Sequence, residues 1–414
     1  MASPTASQTA AVQPLLPDEI LEDIFLLLDS GADLARASAT CRSFRRVATG
    51  RRFLRRFSSL HPPPIVGFVH HVSKRGLHPV DPPHQSAPAA RAIAQAGDFT
   101  FSFLPSDPNP NRSWIVRDVR DGRFLLARKG TVDTAFLELV VCDPLYRRYV
   151  QIPSIPGDLV PRMPSEDGMK SEPFLAPASD EEETEEDQHF RVIYNLVSNY
   201  KIVSFVFSAA TGKWCGATCF SLLPARLIER PKILVRYYAR NCFYWMHPFE
   251  SYMLMLNPRE MKFSLLLRDR NPRMEGLAVM DAVEGRLGLL VVGGSRLDIY
   301  SRTCQSNGVG AEEWRHDKCL PLPEPDYGYS IIGAAEGYIL LSGTAPATTG
   351  RTILSSLVRK ARFAVNLKTL LVERLSMLNN DTISCAHPYA RFPPPLSLPK
   401  PFKGTGHNQF ATAG

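Results

Sequence analysis

Apolar residues near the start of the chain recur at the spacing of a helix. They stand three or four positions apart or next to each other, and they are Ile20, Leu21, Ile24, Leu27 and Leu28. Pro17 suits the first helical position, where its missing N–H is not needed. Ser30 and Gly31 predict a turn after this helix, and Asp33 is expected to cap a second one.

The helical pattern continues to about residue 60. A second face is predicted from Leu34, Ala37, Ser38 and Cys41, its continuation from Phe44, Val47 and Ala48, and a further short helix from Phe53, Phe57 and Leu60. The sequence thus predicts a small all-α domain over residues 14–60. A unit of about 40 residues is too small to hold a substantial core by itself, so a partner is expected.

From about Ile65 onward the helical period is replaced by short runs rich in β-branched and aromatic residues, bounded by turn residues. An acid or Asn, often followed by Gly, precedes several of these runs, at Asp121, Asn241, Glu284 and Glu336. The last three are 43 and 52 residues apart, which is the period of one four-stranded propeller blade.

These repeats predict an all-β, propeller-like domain over residues 61–391, with five to seven blades and six favoured. The strand over residues 65–69 is expected to join the C-terminal blade and close the ring. A β-sandwich is the alternative fold, but five successive hairpins favour radial repetition.

Several segments are expected to lack regular structure. Residues 161–188 contain seven acids between Asp180 and Asp187, and like charges at this density resist compaction, so a disordered insertion is predicted. Residues 74–97, rich in Pro, Ala and His, are predicted to be a loop. Disorder is also expected at residues 1–13 and 392–414.

Composition and charge narrow the class of protein. The chain has 414 residues, 44% of them hydrophobic, and eight cysteines without a Cys-x-x-Cys pair, which favours free thiols in a reducing compartment over a zinc site. No secretory signal and no apolar run of membrane-spanning length is seen, so a soluble protein of the cytoplasm and/or nucleus, without a membrane partner, is expected.

The net charge of +7 includes eight arginines between Arg36 and Arg56. Such a cluster can indicate nucleic acid, and binding would then fall steeply with salt. No alternation of basic and aromatic residues accompanies it, so a solvated helix face, or contact with an acidic partner, is favoured and nucleic acid is not expected.

The sequence lacks four common catalytic, metal-binding and nucleotide-binding motifs. It has no Gly-x-Ser-x-Gly elbow, Walker loop, His-Glu-x-x-His or dinucleotide fingerprint. His70 and His71 have no third ligand nearby, so a packed or solvated pair is favoured over a metal site. The four tryptophans are expected in blade cores. No catalytic residue, metal or cofactor is therefore predicted, and the substrate-binding residues stay unknown.

The N-terminal pattern resembles the F-box family. The resemblance rests on three motifs in order: Leu16-Pro17-Asp18-Glu19-Ile20-Leu21, then Asp33-Leu34, then Cys41-Arg42-Ser43-Phe44-Arg45-Arg46-Val47. Phe44 stands where the family most often has Trp, which keeps an aromatic ring but loses the indole N–H. Together with the β repeats, the chain is similar to plant F-box proteins with an F-box-associated β-propeller or Kelch-like region, without a double-Gly Kelch signature.

This resemblance implies a docking function. F-boxes bind a Skp-type adaptor, which links them to a cullin-based ubiquitin ligase. The adaptor-binding residues that it implies are Leu16, Pro17, Ile20, Leu21, Ile24, Leu27, Leu34 and Val47.

The leading hypothesis is a non-catalytic substrate receptor of such a ligase, with the β domain binding an unknown target protein. The alternative is a β-propeller enzyme or small-ligand sensor with a helical cap. A deep axial pocket lined by converging His, Asp or Glu would favour the alternative.

Overall fold

The fold is given by a computed structural model that describes residues 16–28, 31–61, 63–70, 76–109, 112–129, 136–160, 170–177, 190–198, 201–221, 236–246, 252–267, 276–282, 285–302, 314–335, 337–346, 359–379 and 386–390. These residues fall into two compact units, with the boundary between Pro63 and Pro64. The first unit is helical and the second consists almost entirely of strands.

The first unit contains four helices, which are α1 (Asp18–Leu26), α2 (Gly31–Thr40), α3 (Arg42–Ala48) and α4 (Arg51–Leu60). Pro17 lies just before α1, and its carbonyl accepts the N–H of Leu21 at 3.1 Å. Asp33 was expected to cap α2 but lies within its first turn, where its carboxylate still favours the helix dipole and pairs with Arg36.

A core of seven buried apolar residues holds these helices together: Leu21, Phe25, Leu34, Val47, Ala48, Phe53 and Phe57. The ring of Phe25 lies at its centre, edge-on to Phe44 at 5.1 Å and to Phe53 at 6.2 Å between ring centroids. Phe44 thus contributes an aromatic contact to the core, as its position in the F-box pattern predicts.

The second unit is a six-bladed β-propeller. Five blades are four-stranded antiparallel sheets with strands in chain order, and the sixth is a three-stranded sheet in the order β2-β1-β23. The sixth blade consists of β1 (Ile65–His70), β2 (Leu77–Pro79) and β23 (Ala386–Ala390).

The bounds of the remaining strands follow the blade order. Blade one has β3 (Ile115–Arg120), β4 (Arg123–Lys129), β5 (Leu137–Asp143) and β6 (Arg148–Ile152). Blade two has β7 (Lys170–Ala176), β8 (Arg191–Val197), β9 (Lys201–Ser208) and β10 (Lys213–Ser221). Blade three has β11 (Arg236–Ala239), β12 (Cys242–Met246), β13 (Tyr252–Asn257) and β14 (Lys262–Leu267). Blade four has β15 (Gly276–Asp281), β16 (Leu287–Gly293), β17 (Arg296–Arg302) and β18 (Trp314–Pro321), and blade five has β19 (Gly328–Ala335), β20 (Tyr338–Thr344), β21 (Arg359–Asn366) and β22 (Val372–Asn379).

The first strand of each four-stranded blade is its inner strand, and β23 is the inner strand of blade six. Contacts around a common axis join β3 to β7, β11 to β15, β15 to β19, β19 to β23 and β23 to β3, and an ion pair joins Arg236 of β11 to Glu172 of β7. The hydrophobic clusters span adjacent blades; one of them joins Phe174 of blade two to Phe243 and Leu256 of blade three. Each sheet therefore buries its faces against its neighbours, as a propeller requires.

The predicted ring closure is confirmed. Strand β1 pairs with β23, with Phe68 opposite Pro388 and Val69 opposite His387. All six residues of β1 are buried. Gly67 is needed at this point, because a Cβ there would lie 2.3 Å from the carbonyl oxygen of His78 on β2.

The recurrent acid-or-Asn signal marks the turn between an inner strand and the next strand. Asp121 and Gly122 have φ values of 51° and 70°, and Arg240 and Asn241 have values of 50° and 57°. Two successive positive φ values give the type I′ turn that suits a two-residue hairpin, and Asn, Asp and Gly tolerate it best.

The prediction of a loop over residues 74–97 is wrong. This segment contains β2 and α5 (Ala87–Ala96), whose buried face includes Ala90 and Ile93. Alanine has the highest helix propensity, and Pro88 falls in the first turn, where a proline is tolerated.

Residues 170–176 lie inside the predicted disordered insertion but form β7. This strand is at the edge of its sheet, where Pro173 is acceptable because one side of the strand needs no N–H donor. The charge of Glu172 on this strand is met by Arg236. The acidic run over residues 180–187 lies outside the described residues, as do residues 1–13 and 392–414.

Candidate functional site

One side of α1 presents a row of aliphatic side chains to solvent. This row, the α1 ridge, has residues spaced by four, four and three positions, with exposed fractions of 49%, 47%, 44% and 81%, and consists of Leu16, Ile20, Ile24 and Leu27. The spacing places them along one side of the helix. Pro17, also exposed, lies beside them. Exposed apolar residues grouped in this way are found at interaction sites more often than single exposed aliphatic residues are.

The opposite side of α1 packs into the helical core through Leu21 and Phe25. Leu34 and Val47, on α2 and α3, are buried in the same core. The eight residues predicted to bind an adaptor thus divide into five that are exposed and three that are buried. We keep the docking prediction for the exposed five and assign the buried three to packing, which shapes the ridge from behind.

Ion pairs tie the arginine-rich helices to the acids of α1. Arg46 pairs with Asp18 at 2.8 Å, and Arg56 pairs with Glu22 at 3.3 Å. In the part of the chain that the structure describes, Arg42, Arg45 and Arg52 are exposed and form no ion pair. The arginine cluster is therefore partly used within the helical unit and partly solvated, in line with the prediction of a solvated face.

A second cluster of functional groups lies at the axis of the propeller. Arg236, at the start of β11, joins Asp118 of β3 at 2.9 Å and Glu172 of β7 at 3.1 Å. Trp245 donates its indole N–H to Glu172 at 2.8 Å, and Asp118 accepts the backbone N–H of Leu175 at 2.8 Å. One guanidinium thus holds two carboxylates from two neighbouring blades, and charge-assisted bonds of this kind are the strong ones.

The burial of these groups shifts their pKa values. Desolvation raises the pKa of Glu172 above its ordinary value, although Arg236, Trp245 and Asn195 oppose the shift. Desolvation also lowers the pKa of the Arg117 guanidinium, against the attraction of Tyr194 and Glu172. Burial raises the pKa of Tyr237 far above its ordinary value, and its hydroxyl donates to the carbonyl of Leu277 at 2.6 Å.

A small cavity adjoins this cluster. It has a volume of about 80 Å³ and is lined by inner-strand residues of blades one, three, four and five, together with Phe243 of β12, Tyr338 and Ile339 of β20 and the turn residues Gly337 and Leu367. Its charged lining residues are Asp118, Arg120 and Arg236. The guanidinium of Arg120 lies 4.5 Å above the ring centroid of Tyr238 and 5.6 Å from that of Phe243. We call this cavity the axial pocket.

Sequence reasoning did not find the axial residues. A usable signal was present, since Asp118, Glu172 and Arg236 are charges within runs that otherwise have the pattern of buried strands. Their meeting point depends on the closure of the ring, however, because Asp118 and Arg236 are far apart in the sequence.

The tryptophans behave as predicted for blade cores. Trp114, Trp214 and Trp245 are buried, and Trp314 is partly buried against the core of blades three to five. The indole N–H groups of Trp114 and Trp214 donate to the carbonyls of Pro105 and Pro153. These hydrogen bonds fix the indole rings in the core.

The remaining candidate from the sequence is the pair His70 and His71. His70 is buried beside the rings of Phe68 and His78, while His71 lies outside the described residues. Among the residues that the structure describes, no group of three His, Cys, Asp or Glu side chains could hold a metal ion. In the same residues no helix has the length and apolar character needed to cross a membrane.

The helical unit corresponds to a known domain. Residues 14–59 match the family model for the F-box-like domain, so the chain contains an F-box-like domain at its helical unit. Domains of this family bind Skp-type adaptors. No curated protein matches the sequence.

Solved structures with likeness to the chain include regucalcin, a calcium-binding protein from Agrobacterium tumefaciens, at 12% identity, with 81% of this chain and 95% of that chain covered and a TM-score of 0.34. They also include the WD40 domain of SCAP from fission yeast, at 11% identity, with 63% and 85% covered and a TM-score of 0.27. At these TM-scores the likenesses carry no argument about function.

Proposed function

We propose that this protein is a substrate-recognition subunit of a Skp–cullin–F-box ubiquitin ligase. The observation that carries the proposal is the exposed α1 ridge within a domain that matches the F-box-like family. The ridge would be covered by the adaptor, because about half of each ridge side chain or more is left in contact with water. The adaptor would then connect the chain to a cullin.

The propeller would serve as the surface that binds the target protein. A receptor of this kind needs no nucleophile, since it acts by raising the effective concentration of target lysines near the ubiquitin-charged enzyme. We place this activity in the cytoplasm and/or nucleus, and the combination of domains suits the plant type of F-box protein.

The size of the axial pocket supports a receptor over an enzyme or small-ligand sensor. Pockets that take small molecules measure roughly 300–1,000 Å³, whereas the axial pocket has about 80 Å³. The carboxylates Asp118 and Glu172 are also held by Arg236 at 2.9 and 3.1 Å, rather than converging on open space.

Co-elution with a purified Skp-type adaptor tests the proposal. The full chain should co-elute with the adaptor in gel filtration, and the variant Leu16→Ala/Pro17→Ala should do so less. Addition of the cullin assembly and its ubiquitin-charged enzyme should then give ubiquitin transfer that depends on the adaptor. Full-strength adaptor binding by the variant would show that this end of α1 is not the docking surface, and failure of the unaltered chain to bind would refute the receptor role.

A further inference from the structure

We propose that the axial pocket binds a carboxylate of an acidic peptide segment, with Arg120 as the residue that anchors it. This inference rests on the proposed function and deepens it, because it names the class of target that the propeller would take.

The axial cluster has an excess of positive charge. Among the described residues, its charged side chains are three guanidinium groups and two carboxylates, namely Arg117, Arg120, Arg236, Asp118 and Glu172. Arg236 is engaged by both carboxylates. One positive charge therefore remains without a counter-charge inside the cluster, and a single carboxylate would balance it.

Arg120 is the guanidinium that can offer this positive charge to a ligand. No described carboxylate lies within ion-pair distance of its guanidinium, which is half-buried in the wall of the pocket. Around the neighbouring Tyr238, the other charged side chains include Arg259 and Asp281, which are opposite in sign.

The aromatic contacts of Arg120 prepare it for a bidentate ligand. Its guanidinium lies over the ring of Tyr238, so the face of the planar group is occupied by an aromatic contact. The edge of a guanidinium carries its N–H donors in a fork that matches the two oxygens of a carboxylate. Stacking on Tyr238 and Phe243 therefore limits the motion of the side chain while its donors remain usable.

The volume of the pocket favours one small anionic group. A cavity of about 80 Å³ is small beside the roughly 300–1,000 Å³ of pockets that take whole small molecules. A carboxylate at the end of a flexible side chain can enter such a space while the peptide backbone stays outside. Because the uncompensated charge is single, a dianionic phosphate would leave one negative charge unmatched.

Ligand-observed NMR with short peptides tests this inference on the full chain. The probe is the capped peptide acetyl-Gly-Ser-Glu-Ser-Gly-amide at millimolar concentration, and its twin carries Gln in place of Glu. The Glu peptide should bind and the Gln twin should not. Arg120→Ala should weaken binding about tenfold or more, since a hydrogen-bonded charge pair is lost.

Further variants separate charge from geometry. Arg120→Lys keeps the charge but lacks the fork, so its affinity should lie between those of the unaltered chain and the alanine variant. Arg120→Met keeps an apolar contact with Tyr238 and should lose binding even if the alanine variant folds poorly. Arg315→Ala removes one charge from the exposed strand β18 and is the matched control, which should bind as the unaltered chain does.

Equal binding of the Glu and Gln peptides, or binding that Arg120→Met leaves unchanged, would overturn the inference. Tighter, Arg120-dependent binding of a phosphoserine peptide would also overturn it, since the pocket would then select phosphate. Arg120-dependent binding of a Gln peptide with a free C-terminus would support a carboxylate site and assign the carboxylate to a chain end. Adaptor co-elution is measured in parallel: if it fails while the Glu peptide binds, the receptor role is refuted and the pocket stands, and the reverse result refutes only the pocket.

Discussion

Replacing Ile20 and Ile24 together by alanine tests the α1 ridge quantitatively. The two side chains are 47% and 44% exposed, so nearly half of each is available to be buried by an adaptor. Complete burial of an isoleucine is worth about 1.5–3 kcal/mol, which gives roughly 0.7–1.4 kcal/mol for each residue here. The double variant should therefore bind the adaptor roughly 10- to 100-fold more weakly, at about 1.4 kcal/mol for each factor of ten.

The fold of the helical unit should not be affected by this change. Both residues lie on the exposed side of α1, and alanine has a higher helix propensity than isoleucine. Isothermal titration calorimetry of the full chain with a purified Skp-type adaptor measures the affinity, and circular dichroism checks the helices.

The propeller offers a matched control for the double variant. Leu371 and Met377 are 56% and 45% exposed, so Leu371→Ala/Met377→Ala removes a similar amount of exposed apolar surface from the other unit. This control should bind the adaptor with unchanged affinity. If the ridge variant is folded and binds as tightly as the control, the assignment of the ridge to adaptor docking is wrong.

Three further changes have expected outcomes. Phe25→Ala should destabilise the helical core by about 3–5 kcal/mol, because a large cavity replaces a ring with two aromatic neighbours; hydrogen exchange over residues 18–60 would then rise, and unchanged protection would contradict this role. Gly67→Ala should lower the melting temperature of the propeller, because its Cβ would lie 2.3 Å from a backbone oxygen; a melting temperature equal to that of the unaltered chain would show that β1 and β2 are not packed as described. The raised pKa of Glu172 means that the folded chain binds its proton more readily than the unfolded chain, so stability from this group falls as pH rises from the unfolded pKa through the folded one. Between pH 4 and 7 the melting temperature of the unaltered chain should therefore fall, as pH rises, relative to that of Glu172→Gln. Parallel curves would refute this effect of Glu172.

The helical unit could be predicted because its signals are local. The spacing of Leu21 and Phe25, the turn before α2 and the aromatic at Phe44 all act within a few residues of each other. The same holds for the β repeats, where the turn residues at Asp121 and Asn241 follow directly from the backbone conformation that a short hairpin needs.

Two sequence predictions were wrong because local composition did not suit the helix or strand that long-range packing produces. The Pro- and Ala-rich segment before residue 97 forms α5 because Ala90 and Ile93 pack into the closing region of the propeller. Strand β7 was missed because Glu172 and Pro173 do not suit a buried strand, and it is Arg236 and Trp245 from the next blade that make the glutamate acceptable. Such long-range compensation has no signature in a short window of sequence.

Among the eight predicted adaptor contacts, the sequence could not separate the exposed from the buried. Leu21 and Ile20 are adjacent and chemically similar, yet only Leu21 faces the core. The direction of each side chain depends on how α1 meets α3 and α4, which is a property of the assembled unit.

The pairing of β1 with β23 has a consequence for the order of events during synthesis. Strand β1 leaves the ribosome long before its partner, and at about 5–20 residues per second the wait for β23 is roughly 15–60 s. Throughout that interval the preceding helices have already been synthesised. If the proposed function holds, a message truncated before residue 386 would yield a chain with a docking ridge and an open ring, which would occupy adaptor molecules while delivering no target.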